Sequence, residues 1–236
     1  MDGSIFLSHV QQLIKQCGVY FFYRILFVIQ KYLENVPIEH GSKVSQNEEN
    51  LAIHAQDWNV TNFQGVQVVS QAHLKNGTKK SSFIVSENNT SDGQPITSQV
   101  SLTLPKTLFD TMESKSAEQR VSFVVFRKIS LFQHADQSSP NANAQTQRKT
   151  NSFIIAASVK GMEVKNLTGP VETAYQPLKP GKDKSAECVF WDFKQNKGQG
   201  NWSGEDCHYK GIINGLVNCH CNHLTNFAIL MVINSL

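Results

Sequence analysis

The spacing of apolar residues changes near residue 50. Before that point, Ile25, Leu26, Ile29 and Leu33 recur every three to four positions and would share one face of a helix. Residues 4–35 contain no proline and one glycine, which predicts one or two helices. The polar stretch 36–50 is predicted to be a linker. Residues 1–45 are therefore expected to form a short helical segment ahead of a separate unit.

After residue 50, short runs of β-branched and aromatic residues alternate with polar turns, which predicts a mainly β sandwich. These runs are Leu51–Ala55, Val66–Ser70, Ser82–Val85, Val100–Leu104, Val121–Phe126 and Phe153–Val159. The seven consecutive apolar residues Phe227–Ile233 predict a strand buried on both faces. Pro105–Met112 is the one helix predicted in this part, because proline is favoured in the first turn. Residues 134–150 lack apolar anchors and are expected to form an exposed loop.

Composition narrows the class of protein. Hydrophobic residues make up 40% and charged residues 17% of 236 positions, which is typical of a globular chain with a sizeable core. The net charge is +3 with lysine and arginine spread along the chain, so no nucleic-acid partner is expected. The most apolar run, Gly18–Ile29, is short and contains Arg24, so no transmembrane segment is expected. No signal-peptide pattern is present either, and we expect a piece of a longer protein.

Cysteines and glycosylation patterns indicate a secretory compartment. Cys17 is isolated and fits a buried apolar thiol. The other four cysteines lie in the last fifth of the chain, where they would form two disulfides or a metal site. Zinc is disfavoured because adjacent ligands in Cys219-His220-Cys221 would point to opposite sides, so neither metal nor cofactor is expected. Six Asn-x-Ser/Thr patterns favour the secretory route. They begin at Asn59, Asn76, Asn88, Asn89, Asn166 and Asn201.

One triplet in the C-terminal part could carry chemistry. In His223-Leu224-Thr225, the threonine hydroxyl can attack the carbonyl of Leu224 through a five-membered ring, which converts the amide to a more labile ester. Histidine is a suitable base for that proton near neutral pH, if the chain is sharply turned. The triplet alone is also typical of an ordinary turn before a strand. Trp191 and Trp202 are expected to be core residues of a small disulfide-bonded unit.

The combined pattern is much more specific than the triplet. It resembles the GPS motif that ends the GAIN domain of adhesion G-protein-coupled receptors. The matching residues are Cys188, Phe190-Trp191, Trp202, Cys207, Cys219, Cys221, His223-Leu224-Thr225 and Phe227. Upstream, the segments Leu102–Phe109, Val121–Phe132, Asn151–Val159 and Val164–Val171 look like GAIN strands.

The resemblance implies a domain organisation and a single self-cleavage. Residues 46–236 would form the twisted β-sandwich of GAIN subdomain B, with the GPS motif at 188–236, and residues 1–45 would be a remnant of helical subdomain A. The chain would cut itself between Leu224 and Thr225 without turnover, and it shows no sequence motif of a hydrolase or metalloprotease. The implied disulfides are Cys188–Cys219 and Cys207–Cys221.

The resemblance also implies a location and partners. The module would stand on the extracellular face of the plasma membrane as part of a receptor. The receptor would bind an extracellular ligand whose identity is unknown. Its cut C-terminal fragment would stay bound without a covalent link and would later activate the receptor's seven-helix bundle. That tethered agonist would comprise Thr225, Asn226, Phe227, Ala228, Ile229, Leu230 and Met231. The alternative is an uncut adhesive sandwich of a cell-surface receptor or of a polycystin-like protein, since both carry this fold.

Overall fold

In the residues that it describes, the computed structural model contains two antiparallel β-sheets and a 14-residue helix. It describes residues 10, 12, 22–75, 78–87, 98–110, 116–132, 148–179, 186–198 and 200–232. Cys17 lies outside these residues. Helix α1 spans Phe22–Asn35, a 3-10 helix spans Ile129–Phe132, and a single turn, α2, spans Gln195–Gly198.

The first half of the sandwich is built from eight strands, six of them long. They are β1 (Lys43–Asn47), β2 (Leu51–Asn59), β3 (Val66–Lys75), β4 (Thr78–Glu87), β5 (Ser98–Leu104), β6 (Glu118–Phe126), β7 (Arg148–Thr150) and β8 (Ile154–Val159). The second half adds six more. They are β9 (Val171–Tyr175), β10 (Glu187–Asp192), β11 (Asn201–Ser203), β12 (Cys207–Ile213), β13 (Leu216–Cys221) and β14 (Asn226–Val232).

The strand order places the last strand inside a sheet. The larger sheet runs β1-β2-β6-β8-β14-β10-β11, and β7 pairs beside β8 on the same edge of β14. The smaller sheet runs β12-β13-β9-β5-β3-β4. Strand β14 is therefore hydrogen-bonded to neighbours on both sides rather than lying at an edge.

Each face of the larger sheet covers a separate core. Phe123, Ile155 and Phe227 are buried between the two sheets. The opposite face packs against the apolar side of α1, where Ile25, Ile29 and Leu33 are buried with strand residues and with Trp191 and Trp202. Side chains alternate across a strand, so a strand buried on both faces must be apolar throughout, as 227–231 is.

Most elements expected from the sequence are confirmed. Five of the six apolar runs lie within strands β2 to β6, and the sixth lies in β8 except for Phe153, which precedes that strand. The apolar run near the C-terminus forms β14 as far as Val232. The helical spacing around Ile25–Leu33 lies in α1, and those four apolar residues are buried. The mainly β fold with one preceding helix is therefore the observed fold.

Four expectations about local structure are wrong. The described part of Pro105–Met112 forms successive turns instead of a helix, with Leu108 N bonded to Pro105 O. Part of the 36–50 linker is edge strand β1, and the last residues of the 134–150 loop form β7. Residues 164–170 contain no strand, and β9 begins only at Val171. Neighbouring strands supply partners for backbone that has no apolar pattern of its own.

Arg120 joins the end of α1 to the sandwich. Its guanidinium binds both carboxylate oxygens of Asp57 on the paired strand, at 2.8 and 2.9 Å. Its third nitrogen donates to the carbonyl of Val36 at 2.6 Å, just after the helix ends. The end of a helix leaves carbonyl groups without hydrogen-bond partners. Arg120 supplies one such partner and so fixes the direction in which the chain leaves α1. Hydrogen bonding to Arg120 is the main reason that the pKa of Asp57 lies below its usual value.

Candidate functional site

Two disulfides hold the strand that leads into the triplet. Cys188 on β10 is bonded to Cys219 on β13, which joins the two sheets. Cys207 on β12 is bonded to Cys221 at the end of β13, directly across the hairpin. These are the pairs that the resemblance implied, and bonded cysteines have no thiolate left for a metal. The chain is therefore fixed one residue before Asn222.

Between β13 and β14 the chain is bent over residues 222–225. Three backbone hydrogen bonds from neighbouring segments hold this bend. Leu167 N donates to Asn222 O at 2.8 Å, Leu224 N donates to Val164 O at 3.1 Å, and Ala157 N donates to Thr225 O at 3.3 Å. The bend is thus anchored on both sides of the Leu224–Thr225 bond. A sharp turn was the condition for the histidine to reach the threonine.

His223 is packed into the core beside the bond. Its side chain is 8% exposed and lies edge-on to Phe190, with ring centroids 4.4 Å apart, and 5.5 Å from the ring of Phe227. Its Nδ1 lies 3.3 Å from Oδ1 of Asn222. Its Nε2 is buried and has no hydrogen-bond partner among the described residues. A proton on Nδ1 would be shared with Asn222 and would leave the Nε2 lone pair available as a base.

Burial sets the charge state of this imidazole. Desolvation is the largest effect and lowers the pKa of His223 below its usual value, with the cation of Lys165 acting in the same direction. The carboxylate of Asp206 opposes them by raising the pKa. A lowered pKa keeps the ring neutral at physiological pH, which is the form that can accept a proton.

The Thr225 hydroxyl donates at 3.5 Å to the backbone carbonyl of Trp191 on β10. That distance is at the limit for a hydrogen bond, so the bond is weak. A side-chain rotation that breaks it would free the hydroxyl for another partner. The Trp191 carbonyl, on the neighbouring strand, therefore competes with any other acceptor for the proton of the Thr225 hydroxyl.

A solvent-open pocket of about 450 Å³ borders the triplet. Its walls include His223, Leu224 and Thr225, together with the charged side chains Asp192 and Asp206. Water can reach the bond from this pocket, whose walls also include Phe190, the ring that lies against His223. The site therefore places a mostly buried imidazole beside a peptide bond that borders solvent.

The strand after the triplet is the best-buried segment of the site. Phe227, Ile229 and Met231 lie between the sheets, and Ala228 and Leu230 face the α1 side. On one edge it pairs with β10, from Phe190↔Phe227 to Glu187↔Leu230. On the other edge it pairs with β8 and then β7. Ile233, the last residue of the predicted buried strand, lies outside the described residues.

The structure places the remaining sequence-predicted residues in three kinds of surroundings. Trp191 and Trp202 are buried and meet edge to face at 5.1 Å, as expected for core residues. Asn59 and Asn166 are exposed, and Asn201 is half-buried in β11. Asn76, Asn88 and Asn89 lie outside the described residues.

Sequence reasoning did not find the residues that hold the bend. Val164 and Leu167 act through their backbone groups, so their side-chain types carry no signal of this role. Asn222 is a partial exception, because an amide next to a candidate base could have been examined as its orienting group. Phe190 belonged to the sequence pattern but had no assigned contact, and it lies against the imidazole.

Comparison with known proteins identifies relatives of most of the chain. The family model described as GPS: GAIN subdomain B matches residues 43–235. Adhesion G-protein coupled receptor G2 of Rattus norvegicus is 36% identical over 133 residues, 55% of this chain and 12% of the receptor. Adhesion G-protein coupled receptor G6 of Danio rerio is 30% identical over 200 residues, 81% of this chain and 15% of the receptor.

A solved structure agrees with these matches. The full extracellular region of zebrafish Gpr126/Adgrg6 aligns with a TM-score of 0.67 and 25% identity, over 85% of this chain and 25% of that one. The chain thus spans less than a fifth of the receptors' length and a quarter of the solved region. Within the described part of the chain, no helix is long and apolar enough to cross a membrane.

Proposed function

Because this chain belongs to the GAIN subdomain B family of adhesion G-protein-coupled receptors, we propose that it cleaves itself once between Leu224 and Thr225. The observation that carries the proposal is the anchored bend, which holds a buried, neutral histidine two residues before a threonine. The sandwich would begin with β1 at Lys43, rather than at the expected residue 46, and end at residue 236. The residues before it would be the end of the helical subdomain. This unit would stand outside the cell in a membrane receptor, where Asn59, Asn166 and the other four Asn-x-Ser/Thr sites would be glycosylated.

The reaction has two balanced steps. In the first, His223 takes the proton of the Thr225 hydroxyl, Oγ1 bonds to the carbonyl carbon of Leu224, and the bond from that carbon to Thr225 N breaks. The amine receives the proton from the imidazolium. In the second step, water from the open pocket hydrolyses the ester. The products are a Leu224 carboxylate and a free Thr225 amine with its hydroxyl restored, so the protein is consumed as its own substrate.

Intact mass after denaturation tests the cleavage. The cut separates a 12-residue peptide, Thr225–Leu236, from the rest of the chain. We expect Thr225→Ala to remain whole and Thr225→Ser, which keeps a hydroxyl, to be cut. His223→Ala should slow cleavage by about 10²–10⁴, the usual contribution of a general base. His208→Ala is the matched control, because His208 is exposed on β12.

Two results would refute the mechanism. One is a Thr225→Ala protein that is cut at the same bond. The other is a folded wild-type chain that stays whole at neutral pH, which would leave the uncut adhesive module as the function. The weak bond from the Thr225 hydroxyl to Trp191 is the observation that favours this second candidate, because it must break before attack.

The second part of the proposal concerns the fragment that begins at Thr225. It would stay bound as β14. Pulling residues 1–224 away would expose it, and it would then activate the receptor's seven-helix bundle. Phe227 and Met231 would be its anchors, because both are large and lie one helical turn apart if the freed segment coils. The test is a synthetic 225–236 peptide added to the receptor in a G-protein assay. Absence of activation, with normal signalling by a folded and cleaved Phe227→Ala receptor, would leave the segment as core alone.

A further inference from the structure

One end of the sandwich carries large aliphatic side chains in water. Ile212 and Ile213, at the tip of the β12–β13 hairpin, are 47% and 56% exposed. Leu178, just after β9, is 43% exposed. Single exposed apolar residues are common, but a cluster of them at one end of a domain marks a contact surface.

Strand pairing places the hairpin tip at the end of the sandwich where β14 finishes. The disulfide Cys188–Cys219 sets the level, since Cys188 lies opposite Ile229 of β14 and Cys219 lies in β13. Going from Cys219 to Cys221 along β13 leads toward the triplet, and going the other way leads past Val217 to the hairpin tip. That second direction is also the direction in which β14 runs toward Val232.

Leu178 approaches the same end by a different path. Its amide donates to Asn151 O at 2.9 Å, and the amide of Asn151 donates to Ile229 O at 3.0 Å. Val217 of β13 lies opposite Tyr175, the last residue of β9 and three residues before Leu178. The hairpin tip and the exit of β14 therefore share one end, and the segment after β9 lies beside them, between the levels of Val217 and Ile229.

The hairpin tip is apolar on both of its faces. Ile212 lies opposite Val217, and Ile213 lies opposite Leu216, so the two isoleucines project to opposite sides of the ribbon. Asn214 and Gly215 close the turn with φ of 52° and 79°, the left-handed pair that makes a tight hairpin. A flat protein surface would cover one face of this narrow tip and leave the other in water. A lipid surface would surround both.

Cationic side chains accompany this cluster. Lys149 on β7 lies opposite Met231 of β14, and Lys179 follows Leu178 in the chain. Both lysines are exposed. Arg148 is paired with Glu187 at the same end. Exposed lysines beside an apolar tip suit the phosphate groups at a bilayer surface, with their alkyl stems toward the acyl chains.

We infer that this end is a lipid-contacting edge, in which Ile212, Ile213 and Leu178 enter the interfacial layer of a bilayer while Lys149 and Lys179 meet lipid phosphates. The inference rests on the proposed function only for direction, because a receptor chain continuing from β14 would enter the membrane from this end. Such contact would hold the sandwich upright on the bilayer and restrict its rotation about the segment after Val232.

Sedimentation with sucrose-loaded vesicles tests the inference on the whole chain. We expect measurable binding to phosphatidylcholine vesicles and stronger binding when phosphatidylserine is added. The double change Ile212→Ser and Ile213→Ser should weaken partitioning by about tenfold or more, since half of each side chain would leave the lipid. Ile84→Ser is the matched control, because Ile84 is 43% exposed on edge strand β4 at the other side of the sheet. Lys149→Gln with Lys179→Gln should abolish the preference for phosphatidylserine.

Three outcomes would overturn the inference. They are no binding to either vesicle, equal binding of the double variant and the wild type, and equal losses from the double variant and the Ile84 control. Cross-linking of position 213 to the receptor's seven-helix part, with vesicle binding unchanged by the double change, would identify a protein partner instead and also overturn it. Intact mass of each variant reports self-cleavage separately, so a failure of the proposed reaction is visible independently of lipid binding.

Discussion

Replacement of Phe227 by alanine should loosen β14 more than any other single truncation in that strand. The ring is 1% exposed and lies between the sheets, where it also contacts the imidazole of His223. Truncating a buried phenylalanine removes its transfer free energy and leaves a cavity, which together cost about 3–5 kcal/mol. Because the strand is internal to its sheet, the surroundings have little freedom to collapse into that space.

The same loss should appear in two measurements. In an uncut Thr225→Ala background, urea unfolding should show the free energy of unfolding lowered by about 3–5 kcal/mol. In the cut protein, the dissociation constant of the 225–236 peptide should rise by about a hundredfold to a few thousandfold, which is the same free energy. Peptide release can be followed by mass after gel filtration of the cut protein under native conditions.

Agreement between the two numbers is the real test. It requires that the cut strand keeps the contacts of the uncut one. Ile84→Ala on exposed β4 is the control and should change neither measurement by more than about 0.5 kcal/mol. The reasoning fails if Phe227→Ala costs less than about 1 kcal/mol in unfolding, since that is below the range for a buried aromatic residue. It also fails if peptide release is unaffected.

Three further predictions concern protonation and packing. The cleavage rate should be flat above neutral pH and fall at a pH below 6.5, because burial lowers the pKa of His223 and only the neutral ring is a base; a rate–pH profile checks this. Burial also lowers the pKa of His54 to about 4, so the unfolded state binds a proton more readily than the folded state as the pH falls. Between pH 7.5 and pH 5, the wild type should therefore lose about 2 kcal/mol more free energy of unfolding than His54→Leu. Urea unfolding at each pH measures this difference. Gly200→Ala should destabilise the fold by about 2–4 kcal/mol, because a Cβ there would lie 2.3 Å from Trp191 Nε1 and the backbone φ is +82°. Gly198 has a similar φ of +85° but open space around it, so Gly198→Ala measures the cost of the backbone conformation alone. Thermal melts of both variants give the comparison.

Apolar patterning predicted the elements that bury many side chains. The helical spacing ending at Leu33 and the continuous run from Phe227 each describe a surface that must be covered, and the structure covers both. Strands β1, β7 and β9–β13 were not predicted, and none of them is longer than seven residues. They exist because a neighbouring strand offers hydrogen-bond partners, and that is a property of the assembled sheet rather than of their own residues.

Sequence motifs located the candidate site but not its support. His223 and Thr225 were found because their side-chain chemistry is visible in the sequence, and the chain is bent at both residues. The hydrogen bonds that hold the bend come from the backbones of Val164, Leu167 and Ala157. Any residue type could accept at 164, and any except proline could donate at 167 and 157. The segment 164–170 was expected to be a strand, and its irregular path is what allows it to reach the triplet.

The place of the bond in the sheet determines what a cut would change mechanically. While Leu224–Thr225 is intact, tension from Val232 passes along β14 into β13 and the disulfides at Cys219 and Cys221. After a cut, the same tension must be borne by the two hydrogen-bonded ladders that flank β14. Those bonds lie perpendicular to an antiparallel strand, so a pull along β14 shears them together instead of opening them one at a time. The fold can therefore retain a severed strand under modest load and release it abruptly under a greater one.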